Sequence, residues 1–234
     1  MSWNESSYQV SADVRDVRVT AFLSKVYGWM FLGLLITAGV AFAVASSPAL
    51  IETLILNRVL FWILLLAPIG LVWFLAAKVD SIAPTTAAIL FVVYAAMVGI
   101  TSSVVLLIYT GASIVSAFVI TSGMFGAMAV FGTFTKKSLA GVGQFMFMGL
   151  IGLIIASIVN IFLLNDVMSF VISVIGVIVF TGLTAYDAQR LKEMAVALPD
   201  GRVGSYAVVG ALSLYLDFIN LFFFILRLFG GRRD

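Results

Sequence analysis

The chain is written in long apolar runs separated by short polar breaks. A hydrocarbon layer about 30 Å thick takes roughly 20 apolar residues per helical crossing. Seven stretches meet that length: residues 26–46, 59–77, 83–107, 113–134, 141–164, 167–186 and 207–229. The first six contain no Asp, Glu, Lys or Arg, whereas the seventh contains Asp217 and, near its end, Arg227. The pattern predicts an all-α, polytopic membrane protein, with residues 1–25 ahead of the first span. No long linker, low-complexity tract or internal repeat divides the chain, so residues 1–234 read as a single integral-membrane domain. One alternative attaches to the first run, where Ala43-Val44-Ala45 has the small-x-small form of a signal cleavage site. Against it stand the length of the run and the charged segment before it, which holds Asp13, Arg15, Asp16 and Arg18.

Composition sharpens the picture. Hydrophobic residues make up 63% of the chain and charged residues 10%, against about 45–50% and about 25% in soluble domains. A net charge of +2 gives no reason to expect nucleic acid as a partner. Cysteine and histidine are both absent. Their absence excludes disulfides, the usual zinc sites, haem ligation through His, and Ser-His or Cys-His catalysis, and leaves carboxylates as the main titratable groups for chemistry.

Basic residues in the flanks of spans favour the cytoplasmic side. With seven crossings, Arg15, Arg18, Lys25, Lys78, Lys136, Lys137, Arg190, Lys192 and Arg202 share the N-terminal side, and Arg58, Arg227, Arg232 and Arg233 lie opposite. The N-terminus is therefore expected in the cytoplasm. The C-terminal Gly-Gly-Arg-Arg-Asp then falls outside, whereas a re-entrant seventh segment would return it to the cytoplasm.

The seventh run is the anomaly. An ionised Asp at the centre of a membrane helix costs roughly 2.5–3.5 kcal/mol on insertion scales, so Asp217 is expected to face the bundle interior. Gly210, Ser213, Asp217, Asn220 and Arg227 fall on one stripe of a 3.6-residue helix. Such a helix suits the middle of a bundle beside a water-accessible path, with Gly210, Ser213 and Asn220 as pore-lining candidates; the plainer reading is that the stripe packs small and polar groups against neighbouring helices. A second acid, Asp187, closes the sixth run, and Pro199-Asp200-Gly201-Arg202 marks a turn after it. In an antiparallel hairpin about that turn, Asp187 and Asp217 are equidistant from Arg202 and would meet at the cytoplasmic mouth, although hydropathy sets Asp217 deeper. Alone, Asp187 would be an ordinary interfacial charge beside Arg190 or Lys192.

Two carboxylates in contact do not both ionise cheaply, so one retains a proton and the pair becomes a pH sensor without histidine. Carboxylates also suit calcium, which takes six to eight oxygens. Asp187 and Asp217 supply only part of that shell, so calcium would be held weakly and transiently, as a permeant ion requires.

Leu214-Tyr215-Leu216-Asp217-Phe218-Ile219-Asn220-Leu221-Phe222 resembles the signature of the Bax inhibitor-1 family, the transmembrane Bax-inhibitor-motif proteins. Phe22-Leu23-Ser24-Lys25-Val26-Tyr27, Thr135-Lys136 and Tyr186-Asp187 extend the likeness over most of the chain. The resemblance implies a bacterial inner-membrane protein with a cytoplasmic N-terminus and seven helices, the last near the centre of the bundle. It also implies a di-aspartyl sensor at Asp187 and Asp217 controlling a calcium leak, with no cofactor and no enzymatic activity. Some bacterial relatives place an Arg at the end of the second helix as counter-charge to the first of these acids. Here the chain reads Trp73-Phe74-Leu75-Ala76-Ala77-Lys78, so Lys78 would have to substitute, with a point charge in place of a planar fork.

Other functions compete. An intramembrane aspartyl protease also pairs Tyr-Asp with a second Asp, but expects Gly-x-Gly before it, where this chain has Leu214-Tyr215-Leu216. A retinal protein needs a buried Lys in the seventh helix, which has none. A non-conducting regulator binding other membrane proteins through glycines such as Gly149 and Gly152 is a third class.

Overall fold

A computed structural model of the chain describes the backbone of residues 3–199 and 202–233, with side chains from Arg15 onward. Seven long helices are present among these residues: α1 (Trp3–Ala45), α2 (Arg58–Lys78), α3 (Pro84–Ile108), α4 (Gly111–Phe134), α5 (Ala140–Leu163), α6 (Asp166–Ala197) and α7 (Val203–Phe229). Each is long and apolar enough to cross a membrane. The protein is thus an all-α integral membrane protein.

The helix starts follow local chemistry. Asn57, Thr110 and Asn165 turn their side-chain oxygens onto the backbone N–H groups of Leu60, Ser113 and Met168, satisfying donors that a helix start leaves open. Pro84 occupies the first turn of α3, where its missing N–H costs nothing. Between α1 and α2, a short turn Pro48–Leu50 runs into a π-helical segment Ile51–Leu56.

Two helices outrun their apolar spans. The structure carries α1 from Trp3, well ahead of residue 26, and continues α6 to Ala197, well past Tyr186. Hydropathy reports only the part of a helix that needs lipid. The polar continuation of α6 is held by an apolar stripe, Ala188, Leu191 and Ala195, all buried.

At the centre stands α7, of whose most apolar stretch 56% is buried, against 6% for α5. It packs against α1, α3, α4 and α6 and touches α2, while α5 leans on α6 at the periphery. Close approach of α4 to α6 depends on Gly132, where an added Cβ would stand 2.0 Å from the Ala185 carbonyl oxygen. That contact holds α6 firmly two residues before Asp187.

The two ends of α7 are tied to opposite ends of α3. At its start, Ser205 donates to the Ile82 carbonyl at 2.9 Å, in the α2–α3 connector. Beyond its last turn, Thr110 N–H donates to Gly231 and Arg233 N–H to Ile108, with Tyr109 and Arg232 forming an antiparallel bridge. The seventh segment therefore traverses the bundle and does not re-enter.

The turn expected at Pro199-Asp200-Gly201-Arg202 includes Asp200 and Gly201, which lie outside the described residues. Its flanks are joined by a hydrogen bond from Arg202 N–H to the Pro199 carbonyl at 3.0 Å.

Candidate functional site: a buried aspartate pair

The register of α6 on α7 decides how the two acids meet. A Cβ on Gly176 would touch the Phe224 ring, a Cβ on Gly210 would touch Leu191, and Ser213 hydrogen-bonds Asp187. These three pairings describe one antiparallel hairpin in which Ser213 is the direct neighbour of Asp187. Asp217 then lies one turn, about 5.4 Å, deeper along α7. The symmetric pairing about Arg202 is displaced by that turn, which is why hydropathy sets the two acids at different depths.

Their environments differ accordingly. Asp187 is half-buried and borders a cavity of about 190 Å³ at the end of the bundle that carries most of the basic residues. Ser213 donates to it, and the exposed Arg190, one turn further along α6, acts on it electrostatically. Ala76 of α2 and Val79 just beyond its end line the cavity together with Tyr206 and Gly210 of α7.

Asp217 retains 4% exposure, and its Oδ2 has no hydrogen-bond partner. It lies beyond the cavity lining yet within electrostatic reach of Asp187. One acid thus meets the aqueous end and the other sits sealed behind it. Among the described residues, no three His, Cys, Asp or Glu side chains group to hold a metal ion. Two carboxylates at most would present to a cation here.

The other residues singled out by the sequence fall in different places. Gly210 and Ser213 line the cavity, whereas Asn220 donates back to the Leu216 carbonyl of its own helix at 2.8 Å. Arg227 is exposed in the last turn of α7, over the Phe224 ring. Lys78 is exposed and lies outside the cavity lining, so the structure does not bring it to Asp187 as Arg190 is brought. Lys192 is engaged elsewhere, donating to the Thr133 carbonyl at 2.7 Å.

Sequence reading missed the closure of the cavity mouth. Tyr206 donates to Asp80 Oδ1 at 2.7 Å, and Arg202 forms an ion pair with the same carboxylate at 3.4 Å. Arg202 also donates to the Asp80 carbonyl. The only cue was an acidic residue in a short connector beside a basic turn. Also missed was a polar node in the core, where Tyr215 Oη meets Thr37 Oγ1 at 2.6 Å and Thr37 in turn donates to the Ala95 carbonyl.

Fold and site together define a seven-helix integral membrane protein whose central helix carries a sealed carboxyl group one turn from a second at an aqueous mouth. Residues 19–234 match the family described as inhibitor of apoptosis-promoting Bax1, and the chain belongs to this Bax inhibitor-1 family. It is 46% identical over 215 residues to the inner membrane protein YbhL of Escherichia coli K12, covering 91% of this chain and 92% of that protein. A protein of Borreliella burgdorferi is 43% identical over 215 residues, covering 91% and 93% respectively. The RP147 protein of Rickettsia prowazekii is 42% identical over 220 residues, covering 94% and 93%.

Proposed function

We propose that the protein is a pH-sensitive calcium leak channel of the bacterial inner membrane, with Asp187 and Asp217 as its sensor. The observation that carries this reading is the sealed position of Asp217 Oδ2, without a hydrogen-bond partner, one turn behind an Asp187 that borders the aqueous cavity. A proton kept on the sealed Asp217 leaves a single charge between α6 and α7 and lets them stay packed. Losing it sets two like charges about one turn apart at low dielectric, where repulsion is least screened. The described arrangement is the closed one, since the cavity ends before Asp217.

Calcium enters this scheme as cargo. Carboxylate oxygens suit a hard cation, and two of them with waters and carbonyls bind it weakly enough to let it leave. The basic end of the bundle, with the cavity mouth, is the cytoplasmic one.

A non-conducting regulator is the second reading, and the exposure of α5 favours it: Gly152 faces open space on a helix whose main packing partner among the described residues is α6. Proteolysis is disfavoured by packing. Leu214 and Tyr215, just before Asp217, are each 0% exposed, leaving no room for a substrate backbone.

The test is calcium flux into liposomes holding the purified protein, measured across pH for wild type, Asp187→Asn and Asp217→Asn. Wild type should conduct with a pH-dependent rate, and both substitutions should flatten the profile. No flux in any form would favour the regulator, and a pH dependence that survives both changes would remove the sensor.

A further inference from the structure

Only Tyr109 and Thr110 separate α3 from α4, yet the two helices do not pack along their lengths. α3 lies on α1, α2 and α7, and α4 lies on α6 and α7. The angle between them is therefore set by the shared central helix and by whatever lies at their joined end. The tail that follows α7 lies there.

That tail is fastened by groups that helix ends leave open. Arg233 N–H donates to the Ile108 carbonyl, in the last turn of α3, at 2.8 Å, and Thr110 N–H donates to the Gly231 carbonyl at 3.1 Å. Gly231 N–H donates in turn to Ser113 Oγ at 2.9 Å. The same hydroxyl meets Oγ1 of Thr110, the cap of α4, at 2.8 Å. Gly230 permits the close approach, since a Cβ there would collide with the Leu226 carbonyl oxygen and stand 2.7 Å from the Tyr109 ring. One short segment thus joins the end of α3, the start of α4 and the end of α7.

The connector beneath the tail also joins two walls of a cavity. Val105 and Leu106 of α3 and Ile114 of α4 line a space of about 340 Å³, and Ala41 of α1 lines it too. On its flank the rim residues Phe42 and Val115 are 70% and 63% exposed, within the apolar belt that meets lipid. A charged solute does not enter through hydrocarbon. Its way in is the aqueous end, where the tail lies. We propose that residues 230–233 are a strap that holds the ends of α3, α4 and α7 together and keeps this end of the bundle, opposite the Asp187 cavity, closed to water and ions. The strap does not depend on the reading of the aspartate pair.

The chain has no cysteine, so Ala41→Cys, at a position only 5% exposed, reports on the cavity alone. This form is placed in nanodiscs, where both faces meet reagent, and modification at position 41 by a water-soluble methanethiosulfonate is followed by mass spectrometry. Ending the chain at Phe229 should quicken it severalfold. Ser113→Ala, which removes one acceptor, should quicken it less, and carries the test if the shortened chain fails to insert. Locking the strap should act in the opposite direction. The two backbone bonds flanking Tyr109 and Arg232 make them a non-hydrogen-bonded antiparallel pair, with Cα atoms about 4.5 Å apart, within reach of a disulfide. Tyr109→Cys with Arg232→Cys should crosslink on mild oxidation and slow modification at position 41 relative to its own reduced form. A rate unchanged by shortening, by Ser113→Ala and by crosslinking, or a pair that does not crosslink, overturns the strap.

Discussion

Tyr215 is fully buried in the middle of α7, three aromatic rings deep: Phe91 and Tyr94 both meet it edge to face at 5.8 Å between centroids. Its hydroxyl has one described partner, Thr37, while Thr37 has two, Tyr215 and the Ala95 carbonyl. The two ends of this bond are therefore unequal. Tyr215→Phe removes a hydrogen bond but leaves Thr37 donating to Ala95, at a cost of about 0.5–1.5 kcal/mol. Thr37→Val leaves the Tyr215 hydroxyl buried and unsatisfied, which costs about 1–3 kcal/mol. Unfolding midpoints in detergent should fall in the order wild type, Tyr215→Phe, Thr37→Val. A reversed order would mean that the tyrosine hydroxyl has another partner. The same asymmetry between satisfied and orphaned atoms singles out Asp217, whose neighbour in sequence, Phe218, packs on Phe118 and Phe125 while its own oxygen meets no donor.

Elements meet the solvent through connectors, and the connector that matters most is the one joining α2 to α3. Asp80 holds Tyr206, a wall of the Asp187 cavity, and Arg202 at the head of α7. The ion pair is open to solvent, with side chains 46% and 74% exposed, so it adds at most about 1 kcal/mol to stability. An energy of that size still shifts the opening of a mouth by up to about fivefold. The chain has no cysteine, so a Ser213→Cys reporter on the cavity wall reacts without background. Its modification by a water-soluble methanethiosulfonate should quicken severalfold when Asp80→Ala is added, with little change in unfolding midpoint. An unchanged rate would show that Asp80 does not restrain the mouth.

That connector also marks the limit of what the sequence disclosed. The seven crossings were legible because a lipid-facing helix must be apolar along its whole span, and the anomaly of Asp217 was legible because no other acid interrupts one. Asp187 and its proximity to Asp217 followed from the turn at residues 199–202, but the register did not. A helix pair slides by a turn for the sake of side chains such as Phe224 fitting over Gly176, and no periodicity reports that fit. The Asp80 latch was hidden for a related reason: it joins groups more than a hundred residues apart through a loop with no pattern of its own.

At the scale of the molecule, the distribution of charge and the path of α7 bear on each other. Nine of the basic residues fall with the N-terminal side of the crossings and four on the other, so the charge rule leads us to expect the first group on the cytoplasmic side. The tail runs against this bias, because Arg232 and Arg233 end beside Ile108 and Tyr109, at the opposite end of α3 from the Asp80 latch. A helix of 27 residues spans about 40 Å, more than the hydrocarbon thickness, so α7 delivers its end across the membrane whatever charge follows it. The backbone bonds to the α3–α4 connector then hold the two arginines there. Two single-cysteine forms separate the possibilities, Lys136→Cys in the exposed α4–α5 connector and Arg232→Cys in the exposed tail. In intact spheroplasts an impermeant maleimide should label Arg232→Cys at once and Lys136→Cys only after permeabilisation. Labelling of both from one side would mean that α7 turns back inside the bilayer. The reverse pattern would instead place the Asp187 cavity on the outer face, where its pair would sense external pH.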